Sequence, residues 1–266
     1  MQLVTAPFIL RRLKTDKKII NDLPEKIVFD EYCYLTPEQA ALYETTLNTT
    51  MKQVEDSTGI NRRGAILKLI TSLKQICNHP ANYLKNQDFS YDLSGKTKKI
   101  FAITELILEA NEKVLIFTQY KEMGEILTKI IKQELHDKVL FFHGSLSRQE
   151  REKLIDQFQN DDETKVMVLS LKAGGTGLNL TAATNVIHFD LWWNPAVETQ
   201  ATDRTYRIGQ NKNVTVHRLI TLGTFEEKID EILKSKQKLV DMSLYTGETM
   251  LGDLSNEELM EIFKLR

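Results

Sequence analysis

The stretch KVMVLSLKAGGTGLNLTAATNVIHFD, residues 165–190, decides the fold of this chain. It holds two short apolar runs rich in β-branched residues, one on each side of a glycine-rich turn. Three further runs of the same kind are KVLIFT at 113–118, KVLFFH at 138–143 and VTVHRLI at 214–220. Helical patterns separate most of these runs, and strands that alternate with helices pair in parallel. The sequence therefore predicts an α/β fold, in which a parallel sheet is covered by helices on both faces.

Five strands are predicted for this sheet, with helical segments before and after it. The strands begin near Lys113, Lys138, Lys165, Asn185 and Val214. Before them, from Leu35 to about Leu84, apolar residues recur at intervals of three and four, which predicts two or more long helices. Further helices are predicted at about 96–110, 224–242 and 256–263.

The changes in pattern divide the chain into three parts. The stretch from Lys85 to Ser94 is polar and aromatic without periodicity, which predicts a loop or linker. We therefore expect a helical linker and protrusion at residues 1–91, the α/β lobe at 92–243 and a C-terminal helical tail at 244–266.

The composition is that of a folded globular protein. Of the 266 residues, 41% are hydrophobic and 27% are charged, which excludes a disordered, collagen-like or disulfide-rich chain. The formal net charge of −2 excludes a uniformly basic nucleic-acid binder and leaves room only for a local basic face. Cys33 and Cys77 form no CxxC pair, so no metal site is predicted.

Neither a membrane span nor a secretion signal is predicted. No apolar run approaches the roughly 20 residues that a membrane helix needs, so we expect no membrane partner. The start MQLVTAPFILRRLKTDKK lacks the charged front, apolar stretch and cleavage site of a signal peptide. We expect a cytoplasmic protein. Because Met1 leads directly into a mixed apolar and basic segment, we also expect the chain to be cut from a longer one.

The residues that follow the predicted strands share a character. Ligands of open parallel sheets bind beyond the carboxyl ends of the strands. We call the residues at the carboxyl end of a strand its exit. Four exits carry hydroxyl, amide, imidazole or carboxylate groups or a glycine: Thr118 and Gln119, His143 and Gly144, Ser170, and Asp190. Such residues also serve ordinary turns, but four exits together predict a ligand-binding edge.

The turn after Ser170 suits a phosphate. Ala173 is small, and Gly174, Gly175 and Gly177 have no Cβ atom, so amide N–H groups can approach an anion that larger side chains would exclude. The turn lacks the third glycine and the downstream acid of a dinucleotide fingerprint. It therefore favours a nucleotide or a nucleic-acid phosphate without choosing between them.

The segment NPAVETQATDRTYRIGQ, residues 194–210, predicts a helix that begins at Asn194 and Pro195 and ends at Gly209. At about 100° per residue, Gln200, Arg204 and Arg207 would share one narrow stripe of it. Arginines near a helix end also favour the helix dipole by themselves. Two guanidinium groups on one stripe, next to a turn that suits a phosphate, predict a clamp. The clamp would stabilise the negative charge of a phosphoryl group during its transfer.

Other motifs are expected to have ordinary structural roles. SGKT at 94–97 lacks the earlier glycine and the preceding strand of a P-loop, so it predicts a helix start with exposed lysines. The five histidines lack the spacing of metal ligands, although His143 lies at a strand exit. Trp192 and Trp193 can be packed in a core or can wedge against a nucleic acid or a moving helix.

The motifs also follow one another in a specific order. The segments are PFILRRLKTD (7–16), LPEKIVFDEYCYLTPEQAALYE (23–44), LKQICNHP (73–80), SGKTKKI (94–100), KVLIFTQY (113–120), FFHGSLSRQER (141–151), residues 166–190, WWNP (192–195), QATDRTYRIGQ (200–210) and VTVHRLITLGTFEEKI (214–229). In this order they resemble the C-terminal RecA-like lobe of Swi/Snf-type DNA translocases, in helicase superfamily two. The end of the chain, LSNEELMEIFKLR, is similar to the tail of microbial members, so we expect it to be the natural terminus.

The resemblance implies a role for each matching residue. Arg204 and Arg207 would be arginine fingers that reach an ATP held mainly by an N-terminal RecA-like lobe of the same protein. The nucleotide-binding residues would be Gly175, Gly177 and Gln200. The contacts to the phosphate backbone of double-stranded DNA would come from Thr118, Gln119, His143, Gly144, Ser170, Lys172, Ala173, Gly174 and Trp193. ATP and Mg²⁺ would be the cofactors of the complete protein, which would be nucleoid-associated in a prokaryote and nuclear in a eukaryote.

The chain departs from the family pattern in places. It has Leu171 and Lys172 where the family often has threonine and arginine, and Trp192 where the family often has an acid. Lys172 can contact a phosphate as a point charge but cannot grip it with two parallel bonds. The chain has neither a Walker A loop nor DEAH-like acids after a strand, so we expect it to be inactive alone.

Two other functions remain open at this point. One is a free-standing nucleotide-dependent enzyme, either a P-loop kinase or a dinucleotide-binding protein. Tight nucleotide binding by the isolated chain would favour this function. The other is a non-catalytic interaction module that uses the surface of the long helices.

Overall fold

The structure, a computed structural model, describes residues 23–170, 178–237 and 254–266. Its strands are β1 (Lys26–Cys33), β2 (Val114–Thr118), β3 (Val139–Phe142), β4 (Val166–Ser170), β5 (Asn185–His188) and β6 (Val214–Thr221). They form one sheet in the order β1-β6-β5-β2-β4-β3, and every neighbouring pair is parallel. The predicted α/β fold is confirmed, and each of the five predicted strands is present.

The helices surround this sheet and build a separate bundle in front of it. They are α1 (Pro37–Glu55), α2 (Gly59–Asn78), α3 (Pro80–Leu84), α4 (Gly95–Glu109), α5 (Lys121–Leu135), α6 (Arg148–Asn160), α7 (Pro195–Thr202), α8 (Phe225–Gln237) and α9 (Asn256–Phe263). A short 3₁₀ turn, Tyr91–Leu93, lies in the predicted loop before α4.

The two faces of the sheet bury different residues of the same strands. Val114 and Ile116 of β2 lie in one cluster with the apolar side chains of α4 and α5. Leu115 and Phe117 lie in another, with Phe158 of α6 and other side chains of α6 and α7. Because successive side chains of a strand point to opposite faces, this division confirms that helices cover both sides.

Strand β1 was not predicted. It lies at the edge of the sheet and pairs along its whole length with β6, from Lys26 opposite Val214 to Cys33 opposite Thr221. Its apolar side chains are only half buried, since Val28 is 50% exposed and Phe29 is 48% exposed. An edge strand that pairs with residues so distant in sequence gives only a weak local pattern.

The helical segment and the tail share a third core. Apolar residues of α1 and α2 pack with Leu259 and Phe263 of α9 and with Trp193 and Phe225 from the sheet part of the chain. The buried Tyr43 hydroxyl donates a hydrogen bond of 2.8 Å to the carbonyl of Phe263. The C-terminal helix α9 therefore packs against helices α1 and α2.

Local capping explains where several helices begin. The Thr36 hydroxyl accepts a bond from the Gln39 amide, and Pro37 occupies the first turn of α1, as the sequence predicts. Ser94 caps α4 and Asn194 caps α7 in the same way. Helix α9 begins at Asn256 and ends at Phe263, the bounds that the sequence predicts.

In the described parts of the chain, no helix combines the length and the apolar character that crossing a bilayer requires. Those parts also contain no group of three or more His, Cys, Asp or Glu residues arranged to hold a metal ion.

His188, the last residue of β5, makes folding depend on pH. It is 1% exposed, and burial together with Arg218 and Lys26 lowers its pKa from 6.5 to about 3. The unfolded chain then binds this proton near pH 6.5 but the folded chain does not, so stability is full above pH 6.5 and is lost as pH falls toward 3.

We expect this one residue to lower the free energy of unfolding by about 2 kcal/mol between pH 7 and pH 5. Urea unfolding at both pH values measures the loss. The variant His188→Gln should lose correspondingly less stability over the same interval. Equal losses in the two proteins would contradict the assignment.

Candidate functional site

The carboxyl ends of the strands meet at one edge of the sheet, because all six strands are parallel. Helices α5, α6, α7 and α8 begin just after β2, β3, β5 and β6, so their amino ends lie toward this edge. The amino end of a helix carries partial positive charge and unpaired N–H groups, which favour anions. We call this region the exit edge. The sequence predicts the ligand site there.

Asp190 joins the exits of β2 and β5. Its Oδ2 atom accepts a bond of 2.6 Å from the Thr118 hydroxyl, and its Oδ1 atom accepts one of 2.9 Å from the Gln119 amide. The side-chain amide of Gln119 donates to the carbonyl of Leu191 at 2.8 Å. Thr118 is fully buried, and the direction of its hydroxyl is set by the carboxylate. Its assignment as a DNA contact stays a prediction.

Side chains of α2 contact the same two exits, and a side chain of α4 contacts α2 beside them. Asn78 donates from Nδ2 to Asp190 Oδ2 at 3.1 Å, and Lys74 donates from Nζ to the Leu191 carbonyl at 2.8 Å. Lys96 donates to Asn78 Oδ1 at 3.2 Å. The exits of β2 and β5 are therefore filled by protein side chains.

The prediction of exposed lysines in SGKT was wrong for Lys96. The helix start at Ser94 is confirmed, but Lys96 is 1% exposed and its Nζ atom lies 2.7 Å from Glu226 Oε1. Burial by itself lowers the pKa of Lys96, and the adjacent carboxylate outweighs this and raises it. The lysine is part of a buried ion pair that fixes α4 to α8.

The exit of β3 is open. Gly144 is exposed and His143 is half buried. Lys121, at the start of α5, lies 3.4 Å from the Ser145 hydroxyl, and Arg151 donates to the Gly144 carbonyl at 2.7 Å. Burial, with Lys121 nearby, lowers the pKa of His143, so its ring is neutral near pH 7. This exit presents neutral donors and the cations Lys121 and Arg151, with Glu125 at 3.7 Å from the Lys121 ammonium and Glu150 near His143.

The exit of β4 leads into residues 171–177, which lie outside the described residues. Ser170 ends the strand and is 5% exposed. The predictions for Lys172, Ala173, Gly174, Gly175 and Gly177 fall in this interval and stay predictions.

The single helix predicted from Asn194 to Gly209 was wrong at its end. Helix α7 begins at Pro195 but ends at Thr202, and the Asp203 amide closes it on the carbonyls of Thr199 and Ala201. Gly209 has φ +100°, as a left-handed position should, but it closes a later turn. Gln200 is on α7 and the two arginines follow it, so the argument from one helical stripe does not hold.

The arginine segment, residues 203–210, is held against the residues that follow the glycine turn. The Leu180 amide donates to the Arg204 carbonyl at 3.0 Å. The Gln210 side chain donates to the carbonyls of Thr181 and Ala183 at 3.1 and 2.9 Å. Tertiary bonds of this kind explain why the chain leaves the helix early. They hold the backbone of the arginine segment against residues 180–183, and the clamp itself stays a prediction.

The three predicted residues of this segment differ in exposure. Arg204 is 7% exposed, and burial lowers the pKa of its guanidinium. Arg207 and Gln200 are exposed. One cation is thus held within the fold and the other reaches solvent beside it.

Trp193 lies in the core that the helical segment shares with α8. It is 8% exposed, its ring stacks on Phe225 at 6.4 Å, and the Lys74 ammonium lies 5.3 Å from the ring centroid. The packing alternative that the sequence leaves open describes this position. A DNA contact by Trp193 stays a prediction.

Arg218 of β6 supports α7 from below. Its guanidinium contacts Glu198 of α7 at 3.0 Å, Asp30 of β1 at 2.6 Å and Asp230 of α8 at 2.7 Å. A cavity of about 260 Å³ beside this cluster is lined by Trp192 among others. Its acidic lining residues are already paired, Glu198 and Asp230 with Arg218 and Glu226 with Lys96, and we assign no ligand to it.

Two sequence families match the chain. The family described as the helicase conserved C-terminal domain matches residues 98–209, and the SNF2-related domain matches residues 1–82. Together with the parallel sheet, this defines the class of protein, a RecA-like C-terminal helicase lobe with a helical segment before it.

Relatives narrow the class to one family. A solved structure of a SWI2/SNF2 ATPase C-terminal domain from Sulfolobus solfataricus is 43% identical, with a TM-score of 0.79 over 91% of this chain and 100% of that one. The SWI2/SNF2 ATPase core of the same organism in complex with double-stranded DNA is 47% identical, with a TM-score of 0.83 over 100% of this chain and 56% of that one. The chain belongs to the Swi/Snf family of helicase superfamily two.

One curated relative is much longer than this chain. YwqA of Bacillus subtilis, named as an ATP-dependent helicase/translocase, is 48% identical over 100% of this chain. The chain spans 29% of the length of that relative.

The polar residues that fill the β2 and β5 exits were not predicted. Lys74 and Asn78 are four positions apart and interrupt the apolar face of α2, between Leu73, Ile76 and Cys77. Two polar residues at helical spacing on a buried face signal partners elsewhere in the fold. Nothing local identifies those partners.

Proposed function

We propose that this chain is the second motor lobe of an ATP-dependent translocase that moves along double-stranded DNA. The observation that carries the proposal is the bond from the Leu180 amide to the Arg204 carbonyl, which fixes the arginine segment beside the end of the glycine turn. We infer that the guanidinium groups of Arg204 and Arg207 reach a phosphate bound at the turn. The Sulfolobus SWI2/SNF2 ATPase core in complex with double-stranded DNA supports the choice of nucleic acid.

Arg204 and Arg207 would act on the charge that develops as the γ-phosphoryl group of ATP is transferred to water. Preorganised cations at that position stabilise the transition state more than the bound nucleotide. Arg204, held within the fold, would need little reorganisation. Arg207, exposed beside it, would meet a nucleotide held by the first lobe.

The open exit of β3 would contact the DNA backbone. The exposed Gly144 amide, the neutral His143 ring and the nearby Lys121 ammonium present donors without reading base identity. Such contacts hold any sequence, which suits a motor that moves along the duplex.

Mg²⁺ would not be held by the described residues. The buried acids that follow β5 and β6, Asp190, Glu198 and Glu226, accept hydrogen bonds from Thr118, Gln119, Trp192, Arg218 and Lys96. The ATP-bound ion would belong to the first lobe.

We expect the purified chain to hydrolyse no ATP, with or without duplex DNA, because it supplies only one side of the nucleotide site. Phosphate release is the measurement. The same chain joined to its first lobe should hydrolyse ATP and be stimulated by duplex DNA. The Arg204→Ala, Arg207→Ala double variant of the isolated chain identifies contaminating ATPase, which would survive the substitutions. Turnover by the wild-type chain that the double variant lacks would refute the proposal.

A further inference from the structure

A continuous line of buried hydrogen bonds crosses the protein beneath the exit edge. Glu226 of α8 accepts from Lys96 of α4 at 2.7 Å, and Lys96 also donates to Asn78 Oδ1 of α2 at 3.2 Å. Asn78 Nδ2 donates to Asp190 after β5 at 3.1 Å. These four side chains are at most 5% exposed. The line therefore joins three helices and a strand exit without contact with solvent.

The orientation of the Asn78 amide is fixed by its neighbours. Its oxygen faces the Lys96 ammonium, which can only donate, and its nitrogen faces the Asp190 carboxylate, which accepts. Turning the amide over would place two donors together on one side and two acceptors on the other. Each buried group left without a partner is costly, so one arrangement is strongly preferred.

At its Asp190 end, this line of hydrogen bonds fixes the position of the β2 exit. Asp190 receives the Thr118 hydroxyl on one oxygen and the Gln119 amide on the other. The Leu191 carbonyl adds a second tie, since it accepts from both Gln119 Nε2 and Lys74 Nζ. The backbone at 118–119 is thus bonded through Asp190 and Leu191 to helix α2.

We propose that Asp190 is a positioning residue, which locks the β2 exit to α2 so that Gln119 and the start of α5 keep the arrangement that binds the DNA backbone. This inference rests on the proposed function. Asp190 itself is fully buried, so it acts on the DNA only through other residues. Its effect passes through Gln119, which is only partly buried, and through Lys121 two residues further on.

Exchanging the acid and the amide between positions 78 and 190 tests the line of hydrogen bonds. In Asp190→Asn, the new amide oxygen can still accept from the Gln119 amide, and the new amide nitrogen then faces the Asn78 nitrogen, so two donors meet. In Asn78→Asp, a carboxylate faces the Asp190 carboxylate. The double variant Asn78→Asp, Asp190→Asn restores the order, because the carboxylate at position 78 accepts from both Lys96 and the amide at position 190. The Thr118 hydroxyl can rotate to accept from that amide.

The experiment uses the complete motor and measures ATP hydrolysis as a function of duplex DNA concentration. We expect each single variant to raise the half-saturating DNA concentration by about tenfold, with a smaller effect on the maximal rate and on the KM for ATP. The double variant should return to within about threefold of the wild type.

Ile130→Val is the control for general destabilisation, since Ile130 is a buried core residue of α5 away from the line. It should lower the melting temperature and leave the half-saturating DNA concentration unchanged. If the single variants lower only the melting temperature, or if the double variant shows no recovery of DNA dependence, the positioning role is wrong. A wild-type motor whose hydrolysis ignores duplex DNA would overturn the proposed function, and this inference with it.

Discussion

Replacing Arg207 by alanine in the complete motor is expected to lower the maximal rate of ATP hydrolysis by about 1000-fold, while the affinity for duplex DNA stays within about threefold. Arg207 is exposed and lies in the segment bonded to the end of the glycine turn, so its removal takes away a cation and disturbs little packing. The loss should fall on the rate at saturating ATP, because the guanidinium acts on charge that appears in the transition state. Steady-state hydrolysis at saturating ATP and DNA measures it.

Arg204→Ala should have a similar effect on the rate and an additional effect on stability. Arg204 is 7% exposed, so alanine also leaves a gap in the fold. Arg204→Lys separates the two effects, since it keeps a charge and most of the volume but loses the planar fork. We expect it to melt near the wild type and still hydrolyse ATP at least tenfold more slowly.

Arg63→Ala is the matched control, because Arg63 is an exposed arginine on α2. It should hydrolyse ATP at a rate within about twofold of the wild type at saturating DNA. Turnover by Arg207→Ala that matches this control would remove the basis for assigning the arginines to the nucleotide.

The central sheet was predictable because its strands are buried on both faces. Val114 and Ile116 in β2 and Val168 in β4 belong to continuous apolar runs, which are typical of strands buried on both faces. The helices between these strands are regularly spaced. The local rules for helix starts also held, since Thr36, Ser94 and Asn194 act through neighbours two or three residues away.

Features set by distant contacts were not predictable in the same way. Strand β1 is fixed by β6, and the end of α7 is fixed by bonds from Leu180 and Gln210 rather than by Gly209. The candidate site shows the same division. The sequence shows the candidate arginines and strand exits, but only the fold brings Asn78 onto Asp190 and Lys96 onto Asn78. A buried polar residue is visible in a sequence, and its partner is not.

Lys96 gives the largest expected effect on stability. Lys96→Met removes the ammonium and keeps a side chain of similar length, so the main consequence is a buried Glu226 carboxylate whose only remaining bond among the described residues is from the Thr221 amide, at 3.1 Å. Asn78 Oδ1 loses its donor as well. Breaking a buried pair in this way costs about 3 to 5 kcal/mol, which corresponds to a fall of about 10 °C in the melting temperature. Thermal unfolding of the chain measures it.

The pair between Lys138 and Glu163 provides the matched comparison, because its N···O distance of 2.6 Å is close to the 2.7 Å of the buried pair while its side chains are 58% and 79% exposed. Lys138→Met should leave the melting temperature unchanged, since water screens an exposed pair and solvates the carboxylate left behind. The double variant Lys96→Met, Glu226→Gln should recover more than half of the loss, because the cost lies in the unpaired charge rather than in the missing attraction. If Lys96→Met melts like Lys138→Met, the Lys96 ammonium does not hold α4 to α8. In that case the line of bonds from Glu226 to Asp190 is not the rigid connection on which the positioning of the β2 exit depends.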